Sequence, residues 1–342
     1  MSADLDSPAR GSGQRRTTIL VVGKGVGWWE WCRDGKAYDY ASNYRFVSDP
    51  SCTDYDWLVV YDELKDPLDV RCPRERTILA LDEPVSIKSY SQAYCRQFGH
   101  LLTNRPWEAE RHPHYHLGRG HYMWFVGRTP QEVDAAVLPP KERLVSAICS
   151  SKQMRHTRHQ ARFRLMETLA REIPELDWFG KGVRAFGKKY EVSDPYKYQV
   201  VVENHIAPHH WSEKIADAFL CECLPFYAGA PDLSDDFPKE SFIPIPIDDP
   251  GEAVRIVRQA IAAGAYESRR EAVLEAKRLV REKYNFWAQV IGIVESEAQQ
   301  ATTPVDPACP VTLYPRKTLR RRSLSAALED GWFHLRQYLK IW

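Results

Sequence analysis

The amino-acid sequence predicts an α/β protein with two doubly wound sheets that face one cleft, and with an amphipathic tail at the C-terminus. Short apolar runs bounded by turn residues alternate with segments of helical length, as expected of parallel strands that are buried on both faces. The alternation occurs twice, on either side of an irregular stretch at 105–143. The chain of 342 residues is also long enough for two domains of about 150 residues each.

The first α/β series lies before residue 105. Its predicted strands are 17–23, 56–63, 77–84 and 100–104, and its predicted helix is 86–98. The Gly-rich stretch 23–31 is predicted to be a turn on the rim of the cleft, because it lacks the residue order of a phosphate-binding loop. The stretch 105–143 is predicted to be a loop over the site, followed by an interdomain linker.

The second α/β series follows the linker. Its predicted strands are 143–151, 176–180, 196–204, 224–229 and 241–247, and its predicted helices are 156–172, 211–222, 250–263 and 268–299. The chain is therefore divided into a disordered tail (1–16), an N-terminal α/β domain (17–140), a C-terminal α/β domain (141–300), and a Pro-rich tether with a basic amphipathic tail (301–342). Doubly wound sheets bind ligands beyond the carboxyl ends of their strands, so the cleft is the predicted site.

Composition excludes several classes of protein. A hydrophobic content of 44% and a charged content of 27% are ordinary for a globular chain and unlike those of a disordered one. A net charge of +1 gives the whole molecule no general attraction for nucleic acid. The eight cysteines lack the CxxC spacing of a zinc site and indicate reduced thiols. No apolar run could span a bilayer and the N-terminal residues lack the apolar core of a signal peptide, so we predict a cytoplasmic protein.

Polar residues cluster around the predicted turn between strand 196–204 and helix 211–222. They are Glu203, Asn204, Ser212, Glu213 and Lys214. A helix start presents free N–H groups and the positive end of its dipole, which suits a phosphate, and a cation in the first turn opposes the dipole unless an anion compensates it. Glu213 can accept a hydrogen bond from a ribose or sugar hydroxyl. In the alternative interpretation, Ser212 and Glu213 only complement the helix start, and Glu203 is a solvated strand end.

The run YKYQVVVENHIAPHHWSEKIADAFLCECLPFYAGAPDLSDDFPKESFIPI, at 196–245, carries a specific resemblance. It resembles the donor-binding signature of the α-1,3-fucosyltransferases, glycosyltransferase family 10, in which a strand ending Phe-Glu-Asn-Ser precedes Asp-Tyr-x-Thr-Glu-Lys, a helix and Val-Pro-x-x-x-Gly. The resemblance continues more weakly from 77 to 290. In SKQMRHTRHQARFRLMETL, at 151–169, the family's helix-start arginine maps to Arg162, and in LALDEP, at 79–84, an acidic strand-end position maps to Glu83.

The resemblance implies a GT-B fold with two Rossmann-like domains, and an inverting transfer of L-fucose from GDP-fucose to a hydroxyl group of a cell-surface glycan such as lipopolysaccharide. It implies that Glu83 is the base, and that Arg162 and Lys214 stabilise the charge of the departing diphosphate. No cofactor is then needed, and a divalent metal is not mandatory, although stimulation by one stays open. The implied donor-binding residues are Glu203, Asn204, His210, Ser212 and Glu213.

Several positions depart from the family's pattern. His205 stands for Ser, His210 for Tyr and Ser212 for Thr, so the sugar of the donor is less secure than the diphosphate contacts. The register leaves three other arginines as alternatives to Arg162, and Asp82 as an alternative to Glu83. The three arginines are Arg155, Arg158 and Arg164.

Two other functions stay open. One is the same fold with a different nucleotide-activated sugar. The other is a non-catalytic protein that binds a glycan or, through its basic tail, nucleic acid. We predict that the protein binds a nucleotide sugar and a glycan acceptor, and no nucleic acid.

The stretch 105–124 combines histidines with aromatic residues. The spacing of His112, His114, His116 and His121 does not match a known zinc pattern, so we predict no metal site. Instead we predict that the stretch lines the acceptor side of the cleft, where aromatic faces stack on sugar rings. The predicted acceptor-side residues are Trp107, His116, Tyr122 and Trp124. The alternative is that these aromatic residues only close the core beneath the loop.

The tail at 316–342 has seven basic and two acidic residues. Apolar residues recur along it at helical spacing: Leu324, Leu328, Trp332, Leu335, Leu339 and Trp342. A basic amphipathic helix of this kind predicts peripheral contact with the anionic inner face of a membrane. The alternative is that the helix packs on the protein body. The Pro-rich stretch 301–317 is predicted to be a semi-rigid tether.

Overall fold

The computed structural model describes residues 15–33, 37–41, 43–153, 158–300 and 311–339. It contains a seven-stranded sheet between residues 17 and 117 and a five-stranded sheet between residues 143 and 244. The predicted α/β class with two parallel sheets is therefore confirmed. Most of the predicted N-terminal tail, Arg155, residues 301–310 of the tether, and Trp342 lie outside the described residues.

The first lobe is built on short strands and short helices. Its strands are β1 (Thr17–Gly23), β2 (Ala37–Tyr40), β3 (Tyr44–Val47), β4 (Trp57–Tyr61), β5 (Leu68–Val70), β6 (Thr77–Ala80), β7 (His100–Thr103) and β8 (Tyr115–Leu117). Its helices are α1 (Glu30–Arg33), α2 (Gln92–Cys95), α3 (Pro106–Ala109) and α4 (Pro130–Ala135). The sheet has the order β2-β3-β1-β4-β6-β7-β8, and all neighbours in it are parallel except β2 and β3.

The central strands of this sheet are the most apolar. Every residue of β4 and β6 is buried, as expected for parallel strands that are covered on both faces. β1 ends at Gly23 with a φ of +130°, where an added Cβ would lie 2.1 Å from the carbonyl oxygen of Tyr61. Only glycine fits there. The chain leaves the ends of β4 and β6 through the acidic pairs Asp62-Glu63 and Asp82-Glu83.

The first lobe differs from the prediction in two places. The helix predicted at 86–98 is reduced to the four residues of α2, because Lys88 and Tyr90 lie outside any helix and reach back to the buried carboxylate of Asp62. The hairpin of β2 and β3 was not predicted, since its mostly half-exposed residues form no apolar run. The irregular stretch at 105–143 also contains α3, β8 and α4.

The second lobe follows the predicted order. Its strands are β9 (Arg143–Ile148), β10 (Leu176–Phe179), β11 (Tyr196–Val202), β12 (Leu224–Ala228) and β13 (Ile243–Pro244). Its helices are α5 (His159–Glu172), α6 (Glu213–Leu220), α7 (Pro250–Ala262), α8 (Ala265–Glu282) and α9 (Phe286–Gln300). The strands pair in parallel in the order β10-β9-β11-β12-β13.

Helices α8 and α9 replace the single helix predicted at 268–299. The side chain of Asn285 separates them, because its amide nitrogen donates to the carbonyl oxygen of Arg281 at 2.8 Å and its oxygen accepts from the backbone N–H of Ala288 at 2.9 Å. One amide therefore ends α8 and begins α9.

Helix α9 crosses back to the first sheet. The ring of Phe286 lies 5.2 Å from that of Trp29 and 5.8 Å from that of Tyr61, and the ring of Trp287 lies 5.2 Å from that of Trp124. These aromatic contacts join the end of the 141–300 stretch to the first lobe.

The C-terminal segment also lies on the first lobe. It consists of β14 (Val311–Leu313), which pairs antiparallel with β5, and of helices α10 (Arg316–Arg322) and α11 (Leu324–Leu339). Asp330 of α11 accepts a hydrogen bond from Ser89 at 3.0 Å, and Glu329 accepts one from the backbone N–H of Gln92 at 2.8 Å. The tail thus packs on the body, as the alternative interpretation states. Within the described residues, no helix is long and apolar enough to cross a membrane.

Candidate active site

A cavity of about 200 Å³ lies between the lobes, beyond the ends of β6 and β11. The first lobe lines it with Asp82, Glu83, Pro84, Tyr122 and Phe125. The second lobe lines it with Glu203, Asn204, His210, Ser212, Glu213 and Lys214. Of the residues predicted to catalyse or to bind the donor, all but Arg162 line this cavity. Its position is the one at which doubly wound sheets bind ligands.

The start of α6 is held by Glu203. Ser212 is the N-cap residue of α6, and its backbone N–H and hydroxyl donate to Glu203 at 3.0 and 2.8 Å. Glu203 is only 1% exposed. It is therefore not the solvated strand end of the alternative interpretation, although Ser212 does cap the helix as that interpretation requires.

Lys214 lies among carboxylates at this helix start. Its Nζ is 3.0 Å from the hydroxyl of Ser212, 3.2 Å from Oε1 of Glu213 and 3.4 Å from Oε2 of Glu203. Burial lowers the pKa of Lys214, but Glu203 and Glu213 outweigh burial and raise it. The same arrangement works on Glu213, where burial raises the pKa and the charges of Lys214 and Lys189 bring it down to about 2. Glu203 and Glu213 therefore supply the negative charge that compensates Lys214 at the positive end of the helix dipole.

Arg162 lies behind Asn204, at the first turn of α5. It is 5% exposed, its guanidinium donates to the side-chain oxygen of Asn204, and it lies 3.4 Å from the hydroxyl of Ser150. Its charge acts on Lys214, whose pKa it lowers. The two predicted cations are thus close enough to interact. Among the alternatives, Arg158 pairs with Asp248 at the surface and Arg164 is exposed, so the geometry favours Arg162.

Two neighbouring carboxyl groups face this cluster from the first lobe. Burial raises the pKa of Glu83, and the charge of Asp62 adds to this effect, against Lys24 and Lys88. Burial raises the pKa of Asp82 to about 7, although the hydroxyl of Tyr61 donates to its carboxylate at 2.5 Å. Both groups are therefore poised to take up a proton, and both line the cavity.

A buried ion pair that the sequence does not predict lies near these carboxyl groups. Nζ of Lys88 donates to both carboxylate oxygens of Asp62 at 2.8 Å, and the hydroxyl of Tyr90 donates to the same carboxylate. The sequence signal for this acidic cluster is an Asp-Glu pair that follows both β4 and β6, in YDE at 61–63 and LDE at 81–83. Two parallel neighbouring strands with the same acidic ending place both pairs at one edge of the sheet.

His210 joins the lobes. Its Nδ1 lies 3.1 Å from the amide nitrogen of Asn104 and 3.3 Å from the hydroxyl of Tyr122. Burial lowers its pKa to about 3, with smaller contributions from His205 and Lys214, so the imidazole is neutral near pH 7. Next to it, Gly120 of the first lobe packs on the ring of Trp211 so closely that an added Cβ would lie 2.1 Å from that ring. The predicted donor-binding histidine therefore also closes the interface between the lobes.

The structure places only one of the four predicted acceptor-side residues at the cavity. Tyr122 lines the cavity, but His116 and Trp124 do not. His116 sits on the edge strand β8, with its Nε2 3.1 Å from Nδ1 of His100, and Trp124 packs on Trp287 as the alternative interpretation states. Trp107 lies in a separate groove beside α11.

The histidine-rich loop forms no metal site among the described residues, where no group of three or more His, Cys, Asp or Glu side chains could hold a metal ion. His121 is buried between the carbonyl oxygens of Gly118 and Leu81, at 3.1 and 2.7 Å, and burial lowers its pKa. His112 likewise lies 3.3 Å from the carbonyl oxygen of Phe98. These side chains bond to the backbone of their own lobe.

Comparison with known proteins gives a match in structure only. No protein-family model and no curated protein sequence matches this chain. Three crystal structures of an α1,3-fucosyltransferase are similar to it. The structure without a named ligand has a TM-score of 0.51 at 14% identity and covers 87% of this chain and 94% of its own. The structure with GDP-fucose has a TM-score of 0.50 at 14% identity, covering 88% and 96%.

The third structure, with GDP, has a TM-score of 0.50 at 15% identity and covers 88% of this chain and 95% of its own. At this level of identity the likeness concerns the fold. The chain has the GT-B arrangement of two Rossmann-like lobes, with a cavity between them at the ends of their strands.

Proposed function

We propose that this protein is an inverting glycosyltransferase of family 10 that moves L-fucose from GDP-fucose to a hydroxyl group of a cell-surface glycan, such as lipopolysaccharide. One observation carries the proposal. The cavity between the ends of β6 and β11 has Asp82 and Glu83 on one wall and the Glu203, Ser212 and Lys214 cluster on the other. The GT-B fold and the signature at 196–245 support the choice of a nucleotide sugar as the donor.

The second lobe would bind the diphosphate of the donor. Lys214 lines the cavity, and an arriving phosphate would replace part of its present contact with Glu203 and Glu213. The buried Arg162 would act through Asn204, which lines the cavity. Two interacting cations beside a helix start stabilise the negative charge that grows on a departing diphosphate.

The first lobe would supply the base. The hydroxyl oxygen of the acceptor attacks the anomeric carbon of fucose from the face opposite GDP, while the bond between that carbon and the phosphate oxygen breaks. The electron pair of that bond leaves with GDP, and the hydroxyl proton passes to Glu83. A single displacement inverts the anomeric centre. The raised pKa of Glu83 makes it a better proton acceptor than a solvated carboxylate.

The thermal stability of the purified protein with a panel of nucleotides tests the donor. We expect stabilisation by GDP and GDP-fucose, and a ligand at 100 times its Kd should add about 2.7 kcal/mol to the free energy of unfolding. Stabilisation by a uridine- or thymidine-based donor alone would favour the same fold with another sugar nucleotide. No stabilisation by any member of the panel would favour the non-catalytic alternative.

We also propose that the tail holds the protein against the inner face of a membrane. The apolar residues that were predicted to share one face of the tail helix are exposed in α11: Leu324 is 79% and Leu328 65% exposed. The end of α10 adds Arg321 and Arg322 next to them, while Arg320 pairs with Asp330. An exposed apolar face beside a basic cluster fits an anionic lipid surface.

A further inference from the structure

A second groove lies beside the candidate active site, between α11 and the first lobe. Val85 lines it, two residues after Glu83, and so do Trp107 of α3 and Trp332 of α11. Its volume is about 110 Å³, whereas a cavity that holds one water molecule needs about 10–15 Å³. The groove can therefore hold one small ring.

Two buried polar atoms on the wall of this groove have no partner in the described part of the chain. They are Nε of Arg105 and Oε2 of Glu108, and both side chains are only 5% exposed. Their other atoms form an ion pair with each other. Both atoms belong to the same ion pair and have almost no accessible surface, so this pair forms part of the wall of the groove and its unpaired atoms do not face a ligand.

The charges of the groove balance. Arg105 and Arg336 line it together with Glu108 and Glu329, two cations and two anions. Such a site gives no net attraction to a charged ligand. Its aromatic walls are accessible, since Trp107 and Trp332 are each 57% exposed. The guanidinium of Arg111 lies over the ring of Trp107, at 3.2 Å from the centroid. Accessible aromatic rings with hydrogen-bonding groups between them suit the apolar face and the hydroxyls of a sugar.

Arg105 connects the groove with the candidate base. Its guanidinium donates to the carbonyl oxygen of Glu83 at 3.0 Å and to that of Lys88 at 2.8 Å. The wall of the groove and the segment that carries Glu83 are thus held together by one buried side chain. Pro84, which lines the cavity, is followed in the chain by Val85, which lines the groove.

We propose that this groove binds one uncharged sugar ring of the acceptor glycan, adjacent to the ring whose hydroxyl reaches Glu83. The inference rests on the proposed function for the identity of the bound molecule as an acceptor. It assigns Trp107 and Trp332 to the faces of that ring, and the polar side chains of the groove to its hydroxyls. The C-terminal helix α11 then forms part of the acceptor site.

Saturation-transfer NMR with lactose, cellobiose and N,N′-diacetylchitobiose tests sugar binding by the full chain. We expect at least one of them to bind, and binding to be lost in Trp332→Ala and in Trp107→Ala, which remove the two aromatic walls. Tyr338→Ala is the matched control, since Tyr338 is an exposed aromatic residue of α11 that does not line the groove. Binding to none of the sugars, or equal binding by all variants, would overturn the proposal.

Kinetics separate the groove from the donor site. With an acceptor glycan, Trp332→Ala should raise the KM for the acceptor roughly tenfold and leave both kcat and the stabilisation by GDP-fucose unchanged. An unchanged KM would contradict the acceptor role of the groove but would leave the proposed function intact. Sugar binding by a protein that no nucleotide sugar stabilises would instead overturn the proposed function, and with it the acceptor role of the groove.

Discussion

Lys214 and Glu203 form an ion pair across the start of α6, with Nζ 3.4 Å from Oε2. The pair joins the end of β11 to the helix that follows it. Because Glu203 is almost fully buried and also holds Ser212, the pair both organises the helix start and holds Lys214 at the cavity.

Replacement of Lys214 by Met should weaken nucleotide binding and also destabilise the fold. The buried Glu203 would lose its cation, and an uncompensated buried charge costs about 3 kcal/mol or more. The double variant Lys214→Met/Glu203→Gln should recover part of the stability but none of the nucleotide affinity. Chemical unfolding and calorimetric titration with GDP measure the two effects. Full recovery of GDP affinity in the double variant would contradict the proposed role of Lys214.

Replacement of Lys88 by Met should lower the free energy of unfolding by about 3 kcal/mol, because it leaves the carboxylate of Asp62 buried without its main cation. Urea unfolding measures the loss. Lys65→Met, at an exposed lysine of the same lobe, is the control and should change stability by less than about 0.5 kcal/mol. Equal effects of the two variants would show that the buried pair does not hold the segment after β6.

His210 makes stability depend on pH. Its pKa is lowered to about 3 by burial, whereas an unfolded histidine titrates near 6.5. Between these values the unfolded chain binds a proton that the native protein does not, so the free energy of unfolding should fall as the pH is lowered from 6.5 towards 3. His210→Asn should reduce this slope by up to about 1.4 kcal/mol per pH unit. The slopes come from unfolding curves at several pH values, and identical slopes would place His210 in a solvated position.

The exposed face of α11 should bind anionic vesicles. Leu324→Ser/Leu328→Ser should reduce co-sedimentation with vesicles of phosphatidylglycerol and phosphatidylcholine, and added salt should weaken binding of the unaltered protein because basic residues contribute to it. Val137→Ser, at a fully exposed apolar residue of the linker, is the control. Equal sedimentation of all three proteins would contradict the proposed membrane contact.

The sequence predicts the parts of the fold that depend on local pattern. The apolar runs that became β4, β6 and β11 are almost entirely buried, and the polar residues at the end of β11 meet at one helix start because they are close in the chain. Glu83 and Lys214 share one cavity, as the resemblance implied, although 130 residues separate them.

The parts that were missed depend on contacts between distant residues. Lys88 lies outside the helix because its ammonium group pairs with the buried carboxylate of Asp62, 26 residues earlier in the chain. Trp124 is predicted to lie near the acceptor because an aromatic residue in a loop has no directional signal, whereas its contact is with Trp287, 163 residues later in the chain. The apolar residues of α11 were identified correctly as one face, but periodicity does not indicate whether that face contacts the body or the solvent.

The most direct test of the central claim compares Glu83→Gln with the unaltered protein in the release of GDP from GDP-fucose, with a glycan acceptor present. If Glu83 is the base, Glu83→Gln should bind GDP with unchanged affinity and lose roughly 10²–10⁴-fold in the rate of transfer, while Asp82→Asn should retain most of it. A Glu83→Gln protein that transfers fucose at the normal rate would contradict the account, as would an Asp82→Asn protein that alone loses the activity.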